Sequence, residues 1–140
     1  MSLRNYQKFY KPLHARHSAD FGRCIYCGCE AARQDYIPPI KFIHDWRDGN
    51  READFMSVPA CNECTDLLKN ENNSTLEQRQ SVLKTKLAEK YSKAIRVFNH
   101  WSIEEIEEMD AAFQVSLKGG MRLGKETLTR IGFPGFDYEV

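Results

Sequence analysis

Two Cys-x-x-Cys pairs, Cys24-Ile25-Tyr26-Cys27 and Cys61-Asn62-Glu63-Cys64, constrain this chain more than any other feature. A tight turn brings both sulfurs of such a pair to one side of a metal ion, and two pairs complete the tetrahedral shell that Zn²⁺ prefers. The pairs are separated by 33 residues, a loop that a metal can close. Gly28, directly after the first pair, suits the backbone turn of a knuckle. Four thiolates leave no position for water, so the zinc expected here is structural and not itself catalytic. Cys29 stands outside the pattern and reads as a small, partly buried residue.

The chain has 140 residues, of which 41% are hydrophobic, enough for one domain with its own core. Twenty basic and twenty acidic residues cancel, so any electrostatic targeting must be local. The opening residues lack the apolar run of a secretory signal, and no stretch matches a membrane span. A cytoplasmic protein is therefore expected, and its reducing surroundings favour thiolate ligands over disulfides.

Residues 1–23 form a basic and aromatic arm. Leu3, Tyr6, Tyr10, Leu13 and His17 recur at helical spacing around Pro12, which predicts one or two short helical pieces. Residues 20–70 read as a zinc-pinned unit of turns and short apolar runs. Residues 70–74 are a polar linker, and Ser74-x-x-Glu77 has the form of a capping box that opens a helical extension over 75–140. Leu76, Leu83, Leu87, Tyr91, Ala94, Ile95 and Phe98 make one apolar face of a helix running to about His100. A second box, Ser102-x-x-Glu105, starts another helix with the stripe Ile103, Ile106, Met109, Phe113 and Leu117, and Gly119-Gly120 is its expected stop. Glu104, Glu105, Glu107, Glu108 and Asp110 read as a solvated face near the helix N-terminus. One more short helix from Met121 should break at Gly132, Pro134 and Gly135.

Cys24-x-x-Cys27-Gly28, then Asp35-Tyr36-Ile37-Pro38-Pro39, then Val58-Pro59-Ala60-Cys61-x-x-Cys64 resemble, in this order, the landmarks of the HNH endonuclease family, whose zinc-bearing members wrap a ββα-metal motif around four cysteines. The resemblance spans roughly residues 20–70. It implies an α+β fold: an N-terminal helical arm, a zinc-stapled β-hairpin followed by a helix from about Leu67, and two or three C-terminal helices. Catalysis in that family needs a His that activates water, a divalent ion and an Asn that orients the His. The position of the general base is held by Tyr36, a poor base at neutral pH, that of the middle Asn by Asp54, and the last by Thr65. Asp35 matches the acid that contacts the divalent ion; with Asp54 or Asp66 it would supply part of a Mg²⁺ or Mn²⁺ shell. It reads equally as a turn cap or the partner of an Arg. His44, between the two strands, is a surface His or a substitute base.

Three functions remain open. The first is a non-catalytic HNH-like module binding DNA or RNA through Arg4, Lys8, Lys11, Arg16, Arg23, Lys41 and Arg47, which would position the phosphate backbone without reading bases. The second is an active, divergent metal-dependent endonuclease built on Asp35 and His44. The third is a protein-interaction module that uses the Ile103 to Leu117 stripe.

Overall fold

Among the described residues of the N-terminal arm, Tyr6 and Gln7 are helical and Ser18–Asp20 form a 3-10 turn, the short helical pieces expected, whereas the stretch around Pro12 is extended. A computed structural model of the protein describes residues 6–47 and 52–140, so Leu3 and Arg4 lie outside the described residues. After a single helical turn at Tyr6 and Gln7 the chain extends into β1 (Lys11–Pro12) and β2 (His14–Ala15). The Lys11 and Leu13 amides donate to the carbonyls of Phe55 and Ser57 at 2.9 and 2.8 Å. Pro12, which has no N–H to offer, stands between them on an edge strand, where a proline costs no ladder bond. Long-range pairing thus overrides a local helical period.

β3 (Arg33–Ile37) and β4 (Met56–Ala60) pair antiparallel, with Asp35 opposite Val58 and Tyr36 opposite Ser57. β1 lies parallel on the other side of β4, giving the order β1, β4, β3. Between β3 and β4 the chain makes a 3-10 turn (Ile40–Phe42) and α1 (Ile43–Arg47). α2 (Asn62–Leu68) follows β4 directly; it starts five residues ahead of Leu67, because Cys61 itself is its N-cap. Alternation along β3 turns Asp35 and Ile37 inward, while Tyr36 is half-buried on the opposite face. Tyr10, Leu13, Ile25, Tyr26, Ile37, Ile43, Met56, Val58 and Leu68 are all buried in this part of the chain.

α3 (Leu76–Lys90) begins as expected but is capped differently from the Ser74–Glu77 box. The Thr75 hydroxyl accepts from the Gln78 amide (3.2 Å), Gln78 Oε1 accepts from the Ser74 amide (3.2 Å), and the Asp54 carboxylate accepts from the Leu76 amide (2.8 Å). The expected long helix is interrupted at Tyr91, after which α4 (Ser92–His100) continues. α5 (Ile103–Glu107) starts with the complete Ser102–Glu105 box, both reciprocal bonds being present. No helix among the described residues is long and apolar enough to cross a membrane.

α6 (Ala111–Ile131) runs through Gly119-Gly120, where a stop was expected. The glycine that packing against α4 requires is Gly124, further along the same helix; Gly119 has open space around it. A Cβ on Gly124 would lie 2.2 Å from the Ala94 carbonyl oxygen, whereas one on Gly120 would meet only Val97 side-chain atoms at 3.5 Å. Gly124→Ala is therefore expected to destabilise residues 84–133 by about 3 kcal/mol, since backbone cannot retreat. Gly120→Ala should be neutral or stabilising by up to about 1 kcal/mol, through helix propensity. Urea denaturation followed by circular dichroism distinguishes the two signs.

The chain divides into two compact units, residues 1–83 with 134–140, and residues 84–133. Instead of ending in a helix break alone, the tail forms β5 (Tyr138–Glu139), antiparallel to β2.

Candidate metal centre

The turn after Arg23 is closed by backbone bonds from Gly28 N to Cys24 O (3.0 Å) and from Cys24 N to Cys29 O (2.6 Å), with Gly28 at a φ of 79° that favours glycine. This places Cys24 and Cys27 side by side. The Ile25 amide donates to the Pro59 carbonyl (2.9 Å), which ties the first knuckle to β4, the strand that leads into Cys61. At the second knuckle Cys61 Sγ accepts from the Cys64 amide at 3.4 Å, as an N-cap side chain does.

The four sulfurs all lie within 4.8 Å of one another, and Cys27 Sγ and Cys61 Sγ are 3.7 Å apart. A tetrahedron with zinc–sulfur bonds of about 2.3 Å has edges of about 3.8 Å, so the spacing suits that ion. All four cysteines are buried. Among the described residues they form the one group of three or more His, Cys, Asp or Glu whose ligand atoms come so close. Cys29 is exposed and outside the cluster, not partly buried as expected. Without a cation the sulfurs cannot all ionise. Hydrogen bonding with Cys24, then with Cys27 and Cys61, pushes the Cys64 thiol up, and bonds with Cys27 and Cys61 push Cys24 up. Bonds from Cys24, Cys61 and Cys64 hold Cys27 down as the thiolate. A metal entering the cluster must displace protons from Cys24 and Cys64, so affinity falls as pH falls.

Each position matched to HNH catalysis is already engaged, and no three of Asp35, His44, Asp54 and Asp66 bring ligand atoms within 4.8 Å of one another. Asp35 is 7% exposed and is gripped by Arg79 of α3: Nε donates to Oδ2 and Nη2 to Oδ1, both at 2.9 Å. Arg79 is 1% exposed, and its remaining bonds go to the carbonyls of Glu71 (2.7 Å) and Leu68 (3.3 Å). Tyr26, inside the first knuckle, donates its hydroxyl to Asp35 Oδ2. Burial, followed by the Asp35 charge, pushes the Tyr26 phenol well above its usual range, so it remains a donor. Tyr36 packs edge-on against Tyr10 with ring centroids 5.1 Å apart, and Phe55, at a φ of 47°, also contacts the Tyr10 ring, with centroids 5.6 Å apart. Asp54 is spent on capping α3, and Thr65 Oγ1 donates to the Cys61 carbonyl at 2.8 Å. His44 is exposed and shares a 3.1 Å hydrogen bond with Tyr6 Oη. Asp66 pairs with Arg33 at 3.4 Å. These residues therefore do not fit a Mg²⁺ or Mn²⁺ shell.

Of the basic residues, Lys8, Lys11, Arg16 and Lys41 are exposed. Arg16 Nε also donates to the Tyr138 carbonyl and Lys41 Nζ to Asn70 Oδ1. Arg23 is half-buried and paired with Asp20 at 3.0 Å, which neutralises it. Arg4 and the side chain of Arg47 lie outside the described residues. Arg79 is the residue that sequence reasoning missed. Its signal was there, an arginine three positions after Leu76 and four before Leu83, on the apolar stripe of α3.

No family model, curated protein or solved structure matches the chain.

Proposed function

We propose that this chain is a zinc-stapled, HNH-endonuclease-like module that binds DNA or RNA and does not cleave it. The observation that carries this reading is the Arg79–Asp35 pair. In an HNH site the carboxylate at this position serves a divalent cation; here a buried guanidinium supplies the positive charge, with both oxygens and a tyrosine hydroxyl already engaged. Tyr36 and Thr65 replace the base and its partner, and both are occupied by packing or by backbone. Exposed Lys8, Lys11, Arg16 and Lys41 are the side chains left to meet phosphates, and such contacts hold a nucleic acid without reading its bases.

Fluorescence anisotropy with duplex DNA and with RNA over a salt series tests this. Four phosphate contacts give a slope of log K against log salt of about −3 to −4, and Lys11→Ala should reduce it by about one. No binding at low salt would refute the reading. Plasmid incubated with the protein and Mn²⁺ should remain supercoiled. Nicking above that of a mock preparation, lost in Asp35→Asn, would restore the endonuclease reading. The protein-interaction reading is favoured by a separate observation, the exposed apolar side chains of residues 84–133.

A further inference from the structure

Residues 84–133 bury little of their own. Among the described residues there, the buried apolar side chains are Leu87, Ala94 and Ile106, joined by Gly124 and Thr127. Trp101, Ile103, Phe113, Val115 and Leu123 remain exposed, Phe113 by 63%. Large apolar groups concentrated in this way mark an interface.

Two further observations say what covers it. An open groove of about 640 Å³ runs between the start of α4 and the middle of α6, with Ala94, Ser116 and Gly120 as a small-residue floor and Val97, Leu117 and Leu123 as apolar rims. Ser116, Gly120 and Leu123 of α6 on one side, and Lys93 and Val97 of α4 on the other, each follow the spacing of a helix face, with Lys90 at the end of α3 beside them, so the groove has the shape that accepts another helix. Charge is also segregated along the unit. Glu104, Glu105, Glu107, Glu108 and Asp110 cluster just ahead of Phe113, whereas Lys118, Arg122, Lys125 and Arg130 outnumber Glu126 after it. Gly120 faces Val97 and Gly124 faces Ala94, so α4 and α6 run antiparallel, and Lys90 and Lys93, outnumbering Glu89, leave the groove with a net positive lining.

The geometry points to a second copy of this chain as the occupant. In an antiparallel two-fold pairing of α6 with α6, the acidic corner of one copy meets the basic groove of the other, and Phe113 enters over Gly120. Seven residues separate Phe113 from Gly120, about 10 Å along a helix, so the dyad passes near Ser116 and Leu117, where a serine permits close approach. The same patch serves both subunits, as two-fold closure requires. This inference does not depend on the nucleic-acid reading.

Sedimentation velocity of the zinc-loaded full chain at micromolar concentrations should show a dimer. Phe113→Glu should weaken association at least about 30-fold, the effect of losing an interfacial anchor, with helicity unchanged because Phe113 is exposed. Leu123→Glu should do the same. Lys90→Glu with Lys93→Glu should also weaken it, and adding Glu107→Lys with Glu108→Lys should restore it. A monomer throughout, an unchanged dimer in Phe113→Glu, or failure of the charge exchange overturns the proposal. So does loss of DNA binding in the lysine variant at unchanged mass, which would assign those cations to phosphate.

Discussion

Removing zinc with a chelator is expected to unfold residues 6–83, with loss of their protection against amide hydrogen exchange. Both knuckles, β4 and α2 converge on the cysteine cluster, and formation of a four-ligand zinc site contributes about 10–16 kcal/mol to small zinc domains at neutral pH. That is as large as the whole stability of an ordinary domain, about 5–15 kcal/mol. Cys61→Ser should have the same effect, because it removes a ligand while the serine hydroxyl can still cap α2. Cys29→Ser should not, since this exposed thiol lies outside the cluster. The proton competition described above adds a pH signature. Zinc should be lost progressively on acidification, as protons compete with the metal for the four sulfurs, and elemental analysis after dialysis at each pH reads it directly. A protein that carries no metal and keeps its melting temperature in chelator would exclude the metal centre.

The second large effect is expected at Arg79. Replacing it with alanine leaves the Asp35 carboxylate buried without its counter-charge, which costs about 3–5 kcal/mol. Asp35→Ala should cost a similar amount, stranding the guanidinium. Asp35→Leu combined with Arg79→Met should recover much of the loss, because two apolar residues of similar size need no pairing. Tyr26→Phe removes only a hydrogen bond to a charged group and should cost about 1.5–3 kcal/mol. Denaturation in urea with zinc present measures all four. If Arg79→Ala costs as little as an exposed ion pair, under about 1 kcal/mol, the network does not hold this unit together.

The parts of the fold that were legible in the sequence are those set by local chemistry. The cysteine pairs declare themselves because a knuckle is four residues long, and the Ser102 box because both partners lie within one helical turn. What was not legible depends on distant partners. Asp35 and Arg79 are 44 residues apart, and no short pattern joins a strand carboxylate to a helix guanidinium. Tyr10 and Leu13, on either side of Pro12, read as part of a helical stripe until the edge of β4 is present to receive the segment between them. Gly119-Gly120 reads as a stop until the backbone of α4 is pressed against the same helix, where only a missing Cβ fits at Gly124. The candidate catalytic positions divide the same way. Tyr36 and Thr65 are visibly wrong for the chemistry as letters, but that Asp35 is already engaged could be learned only from its surroundings.

β5 has one more consequence. Because residues 134–140 return to the unit that holds the cysteine cluster, with β5 on β2 and Gly135 set against Gln80 and Ile25, the helices of residues 84–133 are an excursion that leaves this unit and comes back to it. A chain laid out in this way can lengthen, shorten or be cut within the excursion while its first and last segments remain knitted together. Length changes over evolutionary time would be absorbed there, and proteolysis there would release no fragment from the folded part that holds the cysteines.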